Sequence, residues 1–249
     1  MIEIFSAQNP RYKSWLKLLD GRGVRKHELA LVFGRKFIVE ILAAFPHRAS
    51  GVIVTREGDA AKLALPEGCP VYLLSGELYA ALDIYGIREP ILIITALPPP
   101  AWSGELPVGL TVFLPFQNPI NLGTTIRSAA AFGASVVLLR EAATPYLPKA
   151  LRASGPAVFQ VPLFQGPGLE ELSALNHPRL HALSPRGKDL FTFDFPERLG
   201  LVAGLEGPGL DTFWAVEKRL SIPMLPQVES LNASVAMSIA MAFYLADRG

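Results

Sequence analysis

Five short apolar runs in the second half of this 249-residue chain constrain its fold more than any other feature. They are Leu110–Phe116, Ser135–Leu139, Ala157–Val161, Leu180–Leu183 and Leu199–Ala203. Their lengths suit strands, and most are separated by stretches of helical character such as Leu122–Phe132 and Asp211–Arg219. A strand that reaches the next through a helix crosses over and returns in the same direction, so the sheet is mostly parallel. Helices then cover both faces, which explains why the strands are continuously apolar and not alternating. The expectation for residues 110–249 is an α/β domain closed by a helix from Leu231 to about Asp247. Ser230 is placed as its N-cap.

"ALPPPAWSGELPVG", Ala96–Gly109, precedes this region. Its prolines and glycines cannot continue a helix or a central strand, so residues 97–109 are expected to link two domains. Residues 1–96 form the first of these. Helices are expected at Pro10–Leu19 and Phe37–Ala44, and strands at Gly51–Thr55, Val71–Leu74 and Ile91–Thr95, giving a small α/β domain.

Composition excludes several classes. Half of the residues are hydrophobic and 18% are charged, a core-rich globular balance. The formal net charge is +1, so any nucleic-acid role must rest on a local patch. One cysteine, Cys69, rules out a disulfide framework and a cysteine zinc site. His27, His47, His177 and His181 lack metal-ligand spacing and are expected on the surface or in loops, so no metal is expected. The N-terminal "MIEIFSAQNPRYK" lacks signal-peptide order, and the apolar run Val235–Leu245 falls short of the roughly 20 residues that span a bilayer. A soluble, cytoplasmic protein without a membrane partner is expected.

A local basic patch does exist. Arg11, Lys13, Lys17, Arg22, Arg25, Lys26, Arg35 and Lys36 are opposed nearby only by Asp20 and Glu28. Lys13 and Lys17 share a helix face at i,i+4. The cluster is either a solvated face or a surface that tracks phosphates, with Arg11, Lys13, Arg22, Arg25 and Lys26 as the candidate RNA contacts.

Three segments of the second half carry unusual residues. In "NPINLGTTIR", Asn118–Arg127, Asn121 stands near a helix start. Arg127 is the lone charge between Leu114 and Leu139. Side chains lean toward a helix N-terminus, so Arg127 could reach back toward Asn121 beside the C-terminal edge of a strand, where α/β sheets bind ligands. A surface arginine is the alternative. In "LVAGLEGPGL", Leu201–Leu210, a strand enters a glycine-rich turn holding Glu206. The spacing fails the dinucleotide pattern and Pro208 removes an amide, which counts against a nucleotide phosphate loop. In "SIPMLPQVESLNASVAMSIAMAFYL", Ser230 and Asn232 flank Leu231 at the entrance of a helix lined with small residues, which suits close packing or a subunit contact.

In this order and spacing, the three segments resemble the motifs of the SpoU (TrmH-type) family of RNA ribose 2′-O-methyltransferases. The likeness covers Leu110 to Leu245 and includes Asn121 to Arg127, the Gly204–Glu206–Gly207 turn and the Ser230–Leu231–Asn232 triplet. Residues 1–96 are similar, more loosely, to a ribosomal-protein-like substrate-binding domain. The chain departs from the family pattern at Phe33, where a glutamate is usual, and at Pro156, where a glycine is usual. The resemblance implies a SPOUT fold with a deep trefoil knot for residues 110–249, preceded by a small α/β RNA-binding domain. It implies S-adenosyl-L-methionine as cofactor, held around Leu183, Gly204, Ile222 and Leu231, and a homodimer with the C-terminal helix at the contact. It implies Arg127 as the catalytic residue, with Asn121, Glu206, Ser230 and Asn232 ordering it and the RNA. Ribosomal RNA, 23S in particular, is favoured over tRNA as substrate.

Overall fold

The computed structural model describes residues 1–204 and 214–248. The chain forms two compact units. One is Met1–Pro98 with Thr144–Pro156, the other Pro99–Ala143 with Ala157–Gly249.

The first unit is built on a five-stranded sheet of order β1-β4-β3-β5-β2. Its strands are β1 (Ile2–Ile4), β2 (Leu29–Phe33), β3 (Ala49–Val54), β4 (Val71–Leu74) and β5 (Ile91–Thr95). β1, β4 and β3 run parallel, whereas β5 is antiparallel to both β3 and β2. The helices are α1 (Pro10–Lys17), α2 (Gly21–His27), α3 (Arg35–Ala44), α4 (Glu57–Ala60) and α5 (Gly76–Leu82). α1 starts where its sequence dictates. Asn9 Oδ1 accepts from the amides of Arg11 (2.9 Å) and Tyr12 (3.4 Å), and Pro10 supplies a pre-set φ at the first position. Its apolar face sends Tyr12 and Trp15 into the core, where Trp15 meets Tyr72 edge-on at 4.8 Å.

α2 escapes sequence inspection because Gly21 and Gly23 lower its helical propensity. The tertiary structure supplies the reason for Gly23. A Cβ there would lie 1.8 Å from the carbonyl oxygen of Lys17, so α2 touches the end of α1 backbone to backbone. β1, β2, α4 and α5 are likewise short elements whose existence depends on neighbours. Phe33, at the position where the family pattern has a glutamate, is buried and meets Tyr85 edge-on at 5.3 Å.

The second unit carries a six-stranded sheet, parallel throughout, of order β11-β9-β10-β6-β7-β8. Its strands are β6 (Gly109–Leu114), β7 (Ser135–Leu138), β8 (Leu163–Gln165), β9 (Leu180–Asp189), β10 (Arg198–Val202) and β11 (Arg219–Ser221). α6 (Pro119–Phe132) follows β6 and packs on β7 and on the final helix α9 (Ala233–Arg248). Phe113, Val137 and Val202 pack with Leu169 and Leu172 of α8 (Leu169–Ala174) and with Trp214. The proline-rich stretch also joins this sheet. Ala101 bridges to Gln165, and Trp102 meets Phe113 edge-on at 5.1 Å.

Several expectations are corrected. The run Ala157–Val161 is not a strand. A 3-10 turn occupies Gly155–Phe159, because Gly155 takes a left-handed φ of 58° and Pro156 has no amide to give a ladder. The strand comes later, as β8. Before that turn, α7 (Pro148–Ser154) packs on β2, within the first unit. The helix expected at Asp211–Arg219 is absent from its described part. Val216–Lys218 form a 3-10 turn and Arg219 opens β11, while residues 211–213 lie outside the described residues.

β9 is longer than its apolar core suggests and loops out midway. β11 pairs Arg219 with Ala182 and then Leu220 with Lys188. Where the loop returns, a Cβ on Gly187 would sit 2.5 Å from the Arg219 carbonyl, so only glycine fits that crossing. His181 lies on β9, half-buried and edge-on to Phe193 at 5.0 Å, not on an open loop. Among the described residues, no helix is long and apolar enough to cross a membrane.

Candidate active site and RNA-facing surface

The second sheet changes direction of progression at β6. The chain leaves β6 through α6 toward β7, whereas β10 arrives beside it from the β9 side. Such a switch point opens a crevice at the C-terminal strand ends, the usual ligand position in open α/β sheets. Leu114 ends β6 there and Val202 ends β10.

α6 begins at this crevice. Asn118 caps it, its Oδ1 accepting from Ile120 N (2.8 Å) and Asn121 N (3.4 Å), with Pro119 at the first position. Asn121 therefore sits inside the first turn, 9% exposed, and is not the cap. Its Oδ1 accepts from Asn232 Nδ2 at 3.2 Å, and the Ser234 hydroxyl lies 3.5 Å from the same oxygen. Asn232 in turn caps α9. Its Oδ1 accepts from Ser234 N (2.9 Å), Val235 N (3.3 Å) and Ser234 Oγ (2.7 Å). The cap of α9 is thus Asn232 and not Ser230, which lies exposed two residues upstream. The reason is geometric: the helix starts at Ala233, so only Asn232 can reach the orphan amides of its first turn.

Small residues then let α6 and α9 run close together. Ser238 Oγ lies 2.8 Å from Ser128 Oγ and donates to Ser234 O at 2.7 Å. Ser234, nearly fully buried, is a participant not singled out from sequence. The Asn-x-Ser spacing of Asn232 and Ser234 was the available signal, since a capping asparagine bonds two residues on.

Arg127 and Asn121 do not meet. Arg127 lies six residues further along α6, roughly 240° around the helix at 100° per residue, on the exposed face with Ile120 and Thr124. Among the described residues its guanidinium forms no ion pair. Leu183, buried within β9, stands beside Gly204, which follows the end of β10. Among the described residues, a Cβ on Gly204 would meet Leu183 O at 3.5 Å, an ordinary contact distance. Ile222 follows β11 and Leu231 precedes the α9 cap, both half-buried. Glu206 lies outside the described residues.

In the first unit, Arg11, Lys13, Arg22, Arg25 and Lys26 are all exposed. Arg22, Arg25 and Lys26 fall on one face of α2, and the Gly23 contact brings that helix against the Lys17 end of α1. Arg11 spreads its guanidinium over Tyr72, 5.6 Å from the ring centre, and Lys13 donates to the Gln8 side chain. Two histidines of the second unit are held below the ordinary imidazole range. Burial is the main cause for both His177 and His181, and Lys218 adds repulsion to each. Among the described residues, no group of three or more His, Cys, Asp or Glu could hold a metal ion.

Comparison with known proteins adds a decisive observation. The model of the SpoU rRNA Methylase family matches residues 110–242, more than half of the chain. The chain belongs to the SpoU rRNA methylase family.

The SpoU match takes in β6, α6, the whole second sheet and most of α9. A protein of Syntrophobacter fumaroxidans, named as ribosomal RNA small subunit methyltransferase G 2, is 44% identical over 96% of this chain and 48% of its own length. The chain therefore spans about half of that relative. A Bacillus subtilis protein named as a 23S rRNA guanosine 2′-O-methyltransferase is 27% identical over 96% of this chain and 97% of its own. In fold, the chain is similar to the SpoU methyltransferase AviRb of Streptomyces viridochromogenes, solved with AdoMet. The TM-score is 0.77 at 24% identity, covering 97% of this chain and 98% of that one.

Proposed function

We propose that this SpoU-family chain methylates the ribose 2′-hydroxyl of a nucleotide in structured RNA, with 23S ribosomal RNA favoured over tRNA and S-adenosyl-L-methionine as methyl donor. The observation that carries the proposal is the Asn121–Asn232 hydrogen bond of 3.2 Å. It joins the first and third family motifs at the switch point of the sheet, although they lie far apart in sequence. Relatives named as ribosomal RNA methyltransferases support the choice of substrate.

When bound, S-adenosyl-L-methionine would supply an electrophilic methyl, carried on a sulfonium, for the 2′-oxygen. Leu183, Gly204, Ile222 and Leu231 are the residues assigned to hold it. Gly204 stands beside the Leu183 carbonyl, a position lined by backbone that suits a ligand bonding to main-chain groups. The protein's task is then to orient and desolvate the hydroxyl and to accommodate its proton.

Arg127 is assigned as the catalytic residue. Its exposure leaves its N–H donors available to an RNA phosphate, and a bidentate clamp there lowers the cost of a developing alkoxide. A guanidinium pKa above about 12 disfavours the neutral form that a base requires, so the clamp is its minimum role. Asn121, Asn232 and Ser230 order the nucleotide at the α6 and α9 entrances, together with Glu206. Residues 1–96 act as the substrate-binding domain, 97–109 as the connection and 110–249 as the methyltransferase domain with its C-terminal segment knotted. Two copies associate through α9, where Val235 and Leu245 stand exposed, and the enzyme works in the cytoplasm without a metal.

Arg127→Ala tests the assignment. Binding of S-adenosylmethionine should persist in titration calorimetry while methyl transfer falls at least a hundredfold, a loss typical of removing a transition-state donor. A single-turnover rate near wild type would sink it. Mapping ribose methylation in total RNA with and without the gene identifies the nucleotide.

A further inference from the structure

Phe5 is 66% exposed, an unusual state for a phenylalanine, and among the described residues its ring has no aromatic partner. The core of the first unit does not use it. Ile4 points into that core, and the chain turns out to solvent immediately afterwards. Exposure here does not come from a loose tail. The connection from β1 to α1 is held from Ser6 onward: Asn9 N donates to Ser6 O at 3.0 Å, Gln8 N to Ser6 Oγ at 3.2 Å, and Asn9 caps α1. Lys13 reaches back from α1 to the Gln8 side chain, which places its ammonium over the same loop. Arg11 lies over Tyr72, the register partner of Ile2 in the β1–β4 pair, so a second cation stands beside β1. Glu3 and Glu77 are the exposed acids near this corner.

A solvent-facing ring on the loop that Lys13 reaches, next in sequence to the basic helix α1, offers what an unpaired nucleobase and its phosphates require. Every base offers a π-face to stack, and the backbone is tracked by nearby Lys and Arg. We propose that Phe5 is a stacking platform for an unstacked RNA base, with Arg11 and Lys13 on the flanking phosphates. This inference rests on the first unit being the RNA-binding one. A protein partner suits the corner less well, because the apolar surface is limited to Phe5 and the neighbouring Met1 and Ile2 on an edge strand among basic helices.

The test uses the full chain and a fluorescein-labelled RNA hairpin with an unpaired loop, a copy of which carries 2-aminopurine in the loop. Phe5→Leu keeps an apolar side chain but removes the π-face, and Phe5→Trp restores it. Affinity should fall about five- to a hundredfold for Phe5→Leu and return to within about twofold of wild type for Phe5→Trp. The slope of log affinity against log salt should be unchanged by both, since neither alters charge. Quenching of 2-aminopurine on binding should be lost with Phe5→Leu.

Arg25→Glu with Lys26→Glu separates the two levels of the argument. That pair should weaken binding and flatten the salt slope. If the pair does so while Phe5→Leu binds and quenches as wild type, the stacking role is overturned and the RNA surface stands. If neither has an effect, the RNA surface itself is overturned, and the platform with it. A change in sedimentation of Phe5→Leu with RNA affinity intact would mark a protein contact and overturn the proposal.

Discussion

Asn232 does two separable things, and replacing it should expose both. Its Oδ1 satisfies two amides at the start of α9, and its Nδ2 donates to Asn121 across to α6. Removing an asparagine N-cap costs about 1 kcal/mol. Losing the bridge takes one hydrogen bond from the Asn121 carbonyl, a net loss of about 1 kcal/mol, kept at that level because the Ser234 hydroxyl stands within reach of the same oxygen. Asn232→Ala should therefore destabilise the second unit by about 2 kcal/mol, the sum of the two losses. Asn232→Ser keeps a good cap and loses only the bridge, so it should cost about 1 kcal/mol. Urea unfolding followed by tryptophan fluorescence and circular dichroism measures this. With a slope near 2 kcal/mol per molar urea, the alanine variant shifts its midpoint by about 1 M and the serine variant by about half as much. The transition of the first unit should not move. Equal losses for serine and alanine, or losses below about 0.5 kcal/mol for both, would refute the division into cap and bridge.

Gly23→Ala would normally gain about 1 kcal/mol of helix propensity, but here its Cβ meets a backbone carbonyl that cannot rotate away. The first unit should lose about 2 kcal/mol net, and RNA affinity should fall as the basic faces of α1 and α2 separate, measured by urea unfolding and fluorescence anisotropy. His181 contributes a pH dependence of definite sign. Burial holds its folded-state pKa below the usual 6.5, so the unfolded chain binds the proton first on acidification. Its contribution is full above 6.5 and should be lost as pH falls from there through the folded-state pKa. His181→Phe should flatten the pH dependence of the melting temperature below neutrality. An unchanged slope in that variant would show that another group is responsible.

Much of the methyltransferase half was legible because its signals are local. Alternating apolar runs and helices require a parallel sheet wherever they occur, and β6, β7, β9 and β10 appear at the expected places. Asn118-Pro119 marks the start of α6 by chemistry that needs no partner. Failures arise where a backbone detail outweighs side-chain character or where the deciding contact is distant. Ser230 reads as the cap of α9, ahead of Asn232, until the first turn of α9 is located. Gly155-Pro156 turns an apolar run into a 3-10 turn, because φ and a missing amide outweigh side-chain character.

By itself, then, the sequence determined the principal strands of the parallel second sheet, the helices α1, α3, α6 and α9, the basic N-terminal stretch and the three ordered motifs that carry the SpoU likeness. These depend on periodicity, turn residues and spacing, which act over a few residues. Only the tertiary structure decided that Asn121 bonds Asn232, that Gly23 and Gly187 are required by backbones passing within a side chain's width, and that Arg127 faces outward from α6. It alone decided that residues 144–156 belong with the first unit. Each of these is set by which surfaces meet, and a chain position carries no local mark of the distant segment that will pack against it.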